Sequence, residues 1–142
     1  MKKILTTFAF LSLIGCSTNA VNPEKANAVD PLLFTRPTEV NNVSITVIRD
    51  SGLSGFACSY NLYFQDQLVA RLDTSEKTTF YLPPGDIYIG LDSCIKGIDT
   101  GTFIHVKPKD KIQMRTGITT SGDMFIRRVK EPLHKRWVIC YN

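Results

Sequence analysis

The strongest constraint on the fold is an apolar alternation with a period of two residues, which begins at Val43 and recurs along the chain. Successive side chains of a strand point to opposite faces of its sheet, so this period is typical of half-buried β-strands. An amphipathic helix would instead repeat its apolar positions every three or four residues. The alternating positions are Val43, Ile45 and Val47; Phe56, Cys58, Tyr60, Leu62 and Phe64; Leu68, Ala70 and Leu72; Phe80 and Leu82; Ile87, Ile89 and Leu91; Ile104 and Val106; and Ile112 and Met114.

Turn-forming segments separate these runs. Pro83-Pro84-Gly85-Asp86 fits a reverse turn with a proline second and a glycine third, where Gly85 supplies a positive φ. Polar residues fill the other gaps, at 66–67, 73–76, 107–110 and 120–123. Because strands recur about every ten residues, the sequence predicts an all-β fold, an antiparallel sandwich of the immunoglobulin or transthyretin kind. We expect it to form a single domain over residues 41–142.

The first fifteen residues have the pattern of an export signal. Lys2 and Lys3 precede an apolar segment that is shorter than the roughly 20 residues of a membrane-spanning helix. We therefore exclude residues 1–15 from the fold. One interpretation of the cleavage site is ordinary secretion with a cut after Ala20, because Thr18-Asn19-Ala20 is a poor match to the A-x-A pattern.

The other interpretation starts from Leu13-Ile14-Gly15-Cys16, which resembles the lipobox of bacterial lipoproteins. This resemblance implies that Cys16 carries a diacylglyceryl group, that cleavage precedes it, and that the protein reaches the membrane through that lipid. Ser17 in place of Asp implies, by the same resemblance, the outer membrane, and we expect the domain to face the periplasm.

Residues 16–40 contain Pro23, Pro31 and Pro37 and show no strand or helix period, so they predict a flexible tether. A free chain of this length has a reach of about 27 Å, which would hold the domain away from the lipid headgroups. Leu32-Leu33-Phe34 is an apolar island within the tether. It is expected either to pack on the edge of the domain or to dock a partner.

Two further stretches carry a second resemblance. One covers residues 47–52 and 55–60; the other covers residues 69–72, Glu76 and residues 80–85. Together they resemble an uncharacterised family of small bacterial outer-membrane lipoproteins, a domain of unknown function, over roughly residues 43–130. The resemblance implies a sandwich-like fold and an envelope location, and it implies no particular chemistry.

Three cysteines, Cys58, Cys94 and Cys140, remain once Cys16 is acylated. Export favours oxidation, so one disulfide and one remaining thiol is the simplest expectation. We predict that Cys58 pairs with Cys94, because the resembling family tends to place cysteines at these points and Cys58 shares an apolar face with Tyr60. The pairing requires a bulge or strand end near residues 92–93. The alternative is Cys94 with Cys140, leaving Cys58 as a buried thiol.

The remaining candidates for chemistry are weak. His105 and His134 are the histidines of the chain, and Gly52-Leu53-Ser54-Gly55 lacks the spacing of a nucleophile elbow. The cysteines and histidines do not form the close pairs that zinc sites show. Without residues 1–15, fifteen basic residues face thirteen acidic ones, which gives no reason to expect nucleic acid as a partner. We therefore expect no catalytic site, no metal and no cofactor.

Two groups of charged residues have both a structural and a functional interpretation. Arg49 and Asp50 are neighbours at a strand end and should face opposite sides, so a structural ion pair or a turn cap is favoured over a ligand site. The densest basic run is either a solvated strand edge or a contact with an envelope protein, peptidoglycan or lipopolysaccharide. It comprises Arg127, Arg128, Lys130, Lys135 and Arg136, with Trp137 beside them.

These observations predict a non-catalytic, lipid-anchored cell-envelope protein that acts as an accessory or protein-interaction module. The alternative is a protein that binds an envelope glycan or another small ligand. That alternative predicts an aromatic-lined groove built from Tyr60, Tyr63, Tyr81 and Tyr88. A hydrolase, the third hypothesis, predicts a histidine beside a nucleophile in a cleft.

Overall fold

The computed structural model describes residues 18–52, 57–94, 99–119 and 121–129. Over these ranges the regular elements are all β-strands, which confirms the predicted fold class. The strands are β1 (Asn27–Ala28), β2 (Val43–Arg49), β3 (Tyr60–Phe64), β4 (Gln67–Leu72), β5 (Glu76–Leu82), β6 (Gly85–Ser93), β7 (Asp99–Val106), β8 (Lys111–Ile118) and β9 (Met124–Arg128).

The strands form two sheets that pack as a sandwich. One sheet has five strands in the order β1-β5-β2-β8-β9, and the other has four in the order β4-β3-β6-β7. Most neighbours are antiparallel, but β2 pairs with β8 in parallel, from Ser44 opposite Lys111 to Arg49 opposite Thr116. This parallel pair arises because the turn after β7 carries the chain from the four-stranded sheet to the end of the five-stranded sheet where β2 begins.

The core lies between the sheets and consists of the alternating apolar side chains. Val43, Ile45 and Val47 of β2 are fully buried, while Ser44 and Thr46 between them are half-buried on the opposite face. The same alternation holds along β3, β5 and the middle of β6. Burying one such side chain stabilises a fold by about 1.5–3 kcal/mol, so these strands supply the main driving force for folding.

A β-bulge in β4 changes one predicted face. Leu62 pairs with Ala70 and Tyr63 pairs with Leu68, so Val69 is an extra residue between them. Val69 and Ala70 are both buried, and Leu68 is only half-buried. The prediction that Leu68, Ala70 and Leu72 share one face is therefore wrong at Leu68, because a bulge shifts the alternation by one residue.

The start of β3 also differs from the prediction. The alternation was expected to form a strand from Phe56 through Cys58, but β3 begins at Tyr60 and Cys58 lies in a bend before it. Phe56 lies outside the described residues. The turn before β6 follows the prediction, since Gly85 has a φ of 127°.

The two ends of the sandwich carry different turns. We call the end where β2 stops the disulfide end. It carries the bend at Cys58, the β4–β5 turn at 73–75, the end of β6 and the β8–β9 turn at 119–123. Arg49 Nη1 joins the two sheets there by donating to the carbonyl oxygens of Cys58 and Leu72. The opposite end carries residues 83–84 and 107–110; we call it the lysine end.

The segment before β2 is built into the sandwich. Its path starts at the disulfide end, where Asn19 and Ser51 form an isolated antiparallel bridge. It continues as β1, which pairs in parallel with β5 through Asn27 opposite Glu76. The backbone amide of Leu32 then donates to the carbonyl of the bulged Val69, and the segment reaches the lysine end, where Asn42 Oδ1 accepts from Lys109 N.

The prediction of a flexible tether over residues 16–40 is therefore wrong for residues 18–40. Short paired stretches and single backbone hydrogen bonds hold this segment, and neither leaves a period in the sequence. Of the apolar island, Phe34 packs against the core, with its ring edge-on to Phe64 at 5.6 Å between centroids. Leu32 and Leu33 remain 57% and 40% exposed, so packing on the domain edge is confirmed only for Phe34.

Candidate functional site

The outer face of the four-stranded sheet contains a shallow depression at a pair of glycines. Gly90 of β6 lies directly opposite Gly101 of β7. Because Gly90 has no side chain, a depression of about 200 Å³ forms there, with Tyr63 and Tyr88 on its walls. The ring of Tyr88 lies over Gly101, where an added Cβ would collide with it. Glycine at position 101 is therefore required for this placement of the tyrosine.

An exposed aromatic pair adjoins the depression. The rings of Tyr88 and Phe103 contact each other with centroids 4.8 Å apart and an angle of 49° between planes. Tyr88 is 46% exposed and Phe103 is 79% exposed. Large aromatic side chains that remain exposed together are typical of surfaces that bind a partner.

Carboxylates form the polar part of the depression. Asp66, Asp92 and Asp99 line it together with Tyr63. Asn61 Nδ2 donates to Asp92 Oδ1 over 2.7 Å, which fixes that carboxylate on the sheet face. Burial and then the neighbouring Asp92 raise the pKa of Tyr63.

The depression partly matches the aromatic groove expected for a glycan-binding or ligand-binding protein. Tyr63 and Tyr88 lie in it as that hypothesis requires. Tyr60 does not, since it is 1% exposed and lies under the guanidinium of Arg49 at 3.6 Å. Tyr81 belongs to the other sheet, where it lines a separate cavity of about 470 Å³ between β5 and residues 28–36.

A buried ion pair lies at the disulfide end, beneath the N-terminal segment. Arg115 of β8 contacts Asp50 through both Nη2 and Nε, the latter 3.0 and 3.2 Å from the two carboxylate oxygens. The two side chains are 3% and 0% exposed. Burial raises the pKa of Asp50, and the hydrogen bonds and charge of Arg115 act against burial by favouring the carboxylate.

This ion pair also binds the N-terminal segment. Val21 N donates to Asp50 Oδ1 over 3.1 Å, and Arg115 Nη2 donates to the carbonyl oxygen of Val21. Three residues earlier, the hydroxyl of Thr18 accepts from Ile118 N and donates to the carbonyl oxygen of Ile118. The first described residues of the chain are thus held by hydrogen bonds to the buried ion pair and to the backbone of Ile118.

Arg49 and Asp50 face opposite sides, as expected for neighbours at a strand end. Arg49 is buried against Tyr60, whereas Asp50 contacts Arg115 on the other side of the sheet. The structural ion pair favoured for Asp50 is confirmed. Its partner Arg115 was not predicted, because it follows Lys111 and Gln113 in the polar phase of β8, where an exposed side chain is expected.

The predicted disulfide is present. Cys58 and Cys94 are bonded, with their Cα atoms 5.5 Å apart, as expected for this linkage. β6 ends at Ser93, so the strand end that the pairing required is observed immediately before Cys94. Cys140 lies outside the described residues.

The basic run is only partly described. Arg127 and Arg128 are exposed on β9, and the guanidinium of Arg127 lies 4.7 Å from the ring centre of Phe125. Lys130, Lys135, Arg136 and Trp137 lie outside the described residues, as does His134. The structure therefore places two of the six predicted contact residues on the surface of β9 and does not bear on the other four.

The described residues bring His105 next to an acid. Its Nδ1 lies 2.8 Å from Asp86 Oδ1, and both side chains are largely exposed, on the same sheet face as Tyr88. Within the described ranges, no cluster of three His, Cys, Asp or Glu side chains has the proximity needed to bind a metal. The same ranges contain no helix of sufficient length and apolar character to span a membrane.

Comparisons with protein-family models, with curated proteins and with solved structures find no match to this chain.

Proposed function

We propose that this chain is a non-catalytic, lipid-anchored protein of the bacterial cell envelope, at the outer membrane, that binds a protein partner. The outer face of its four-stranded sheet is the binding surface. The exposed contact between Tyr88 and Phe103 is the observation that carries the proposal. Aromatic side chains bury a large area at little cost in conformational entropy, which makes them frequent anchors of protein interfaces.

Crosslinking from this face in intact cells tests the proposal. A photoreactive phenylalanine analogue at Phe103 should give a defined adduct. The same analogue at Val40, which is 69% exposed near the lysine end, should not. Equal adducts from both positions, or none from Phe103, would argue against this face as the interface.

Two glycine variants make the test specific. Gly101→Ala forces the ring of Tyr88 off the sheet, whereas the added methyl group of Gly90→Ala makes ordinary contact, 3.5 Å from Tyr63 Cβ. Adduct formation from Phe103 should be lost in Gly101→Ala and retained in Gly90→Ala. Loss in both variants would indicate that the sheet as a whole, and not Tyr88, is responsible.

The depression favours a second candidate function, the binding of an envelope glycan or another small ligand. Its two tyrosines offer stacking surfaces, and its carboxylates and Asn61 offer hydrogen bonds to hydroxyl or amino groups. Titration with soluble peptidoglycan fragments tests it. Tyr88→Ala should weaken binding about tenfold, or about 1.4 kcal/mol. Tyr81→Ala, on the other sheet, should have no effect.

The anchor is tested separately. Wild-type protein from cells fed a fatty-acid analogue should carry the label at Cys16, and Cys16→Ser should be unlabelled and either released or uncleaved. An unlabelled wild-type protein that starts at Val21 would instead support ordinary secretion with cleavage after Ala20.

A further inference from the structure

The distance between the proposed lipid anchor and the folded sandwich is very short. One residue, Ser17, separates Cys16 from Thr18. Thr18 is only 4% exposed and lies at the disulfide end. A peptide chain spans at most about 3.6 Å per residue, so the Cα atoms of Cys16 and Thr18 are at most about 7 Å apart.

Side-chain hydrogen bonds and packing hold Thr18 against β8. Its hydroxyl bonds to both the amide and the carbonyl of Ile118, and its methyl group occupies the space left by Gly117, where an added Cβ would lie 2.8 Å away. Asn19 then pairs with Ser51, and Val21 binds both members of the buried Asp50–Arg115 pair. A lipid on Cys16 would thus be coupled to the sandwich without a flexible linker.

We propose that the disulfide end lies directly on the lipid headgroups, with the strands directed away from the membrane and the lysine end outermost. This inference rests on the proposed lipid anchor. Acyl chains on Cys16 occupy the hydrocarbon region, and the headgroup layer beyond it is about 5–8 Å thick. A connection of at most 7 Å therefore places Thr18 within that layer or at its outer boundary.

The chemistry of the disulfide end indicates how it contacts lipid. The exposed or half-buried side chains around Thr18 include the uncharged polar groups of Asn19, Ser51, Thr119 and Ser121, and the carboxylate of Asp123 accepts a hydrogen bond from Ser121 in the same turn. The basic side chains Lys107, Lys109 and Lys111 lie at the opposite end, about 25–30 Å away along the strands. Contact with the headgroups is therefore set by the anchor and by hydrogen bonding, and it does not require anionic lipid.

Fluorescence quenching in vesicles tests this orientation. Mature, lipidated protein with Cys140→Ser carries a fluorophore at Ser121→Cys or, as a matched control, at Lys107→Cys. Each protein is reconstituted into phosphatidylcholine vesicles that contain a nitroxide-labelled headgroup. We expect strong quenching at position 121 and little at 107, with no increase when anionic lipid is added.

A linker variant provides the second measurement. Inserting twelve Gly/Ser residues between Ser17 and Thr18 adds a reach of about 19 Å and should reduce quenching at position 121. Equal quenching at both positions, or quenching at position 121 that the insertion does not change, would overturn the proposed orientation. Neither result would argue against the proposed anchor. Absence of lipid on Cys16 by mass spectrometry would overturn the proposed anchor and this inference together.

Discussion

At the residue scale, the side-chain pairs Asp50–Arg115 and Asp86–His105 differ in burial and therefore in their expected effect on stability. Asp50→Asn leaves the guanidinium of Arg115 buried without its counter-charge, which costs about 3–5 kcal/mol. Asp86→Asn removes a pair whose side chains are 84% and 68% exposed, and it should cost at most about 1 kcal/mol. Urea unfolding of both variants checks the difference.

A double variant identifies the cause of that loss. Asp50→Leu with Arg115→Met removes both charges, and it should recover part of the stability lost in Asp50→Asn, because no unpaired charge remains buried. It still lacks the groups that bind Val21, so recovery should be incomplete. A double variant less stable than Asp50→Asn would show that the hydrogen bonds to Val21 dominate.

At the element scale, the N-terminal segment behaves as part of the sheet. The amides of Asn27, Val29 and Leu32 donate to Ser75, Lys77 and Val69. They should exchange with deuterium far more slowly than a free chain. Hydrogen exchange followed by NMR measures this directly, and exchange at free-chain rates would restore the flexible-tether hypothesis for these residues.

Phe34 is expected to hold the middle of this segment. Phe34→Ala loses the edge-on contact with Phe64 and should destabilise the domain by about 1–3 kcal/mol, with faster exchange at Leu32. Leu33→Ala, at a side chain that is 40% exposed, serves as the control and should have a smaller effect. Equal effects would mean that packing of the Phe34 ring does not fix the segment.

The disulfide also constrains the strands. It joins the bend before β3 to the residue after β6 and closes a loop with a sequence separation of 36 residues. In the chain-entropy model such a cross-link stabilises the domain by about 4 kcal/mol. Cys58→Ser with Cys94→Ser should lose up to this amount in denaturant unfolding. Peptide mapping without reductant should recover Cys58 joined to Cys94; a fragment containing Cys140 in the linkage would contradict the pairing.

At the scale of the whole molecule, the surface arginines of β9 are expected to matter for contacts and not for folding. Arg127→Glu with Arg128→Glu should leave the melting temperature within a few degrees, since exposed charges contribute little to stability. Arg49→Ala is the matched control at a buried arginine; it removes hydrogen bonds to Cys58 and Leu72 and should lower the melting temperature strongly. A similar loss in both variants would show that the β9 arginines are structural.

The sequence by itself determined most of the strands and most of the core side chains, although it missed β1 and placed Leu68 on the core face in place of the bulged Val69. Both follow from local alternation, as at Val43, Ile45 and Val47. The opposite orientations of Arg49 and Asp50 follow from the same strand geometry. The pairing of Cys58 with Cys94 was also predicted correctly, from the family resemblance together with the position of Cys58 on an apolar run.

Only the tertiary structure decided which distant segments meet. The partner of Asp50 is 65 residues away, β8 joins β2 in parallel, and Gly90 faces Gly101 across two strands. The N-terminal segment was predicted as a tether because many of its contacts are single backbone hydrogen bonds to other elements, such as that from Leu32 to the bulged Val69. Such contacts depend on the position of carbonyls and amides in space, which every residue type carries alike, so no sequence pattern marks them.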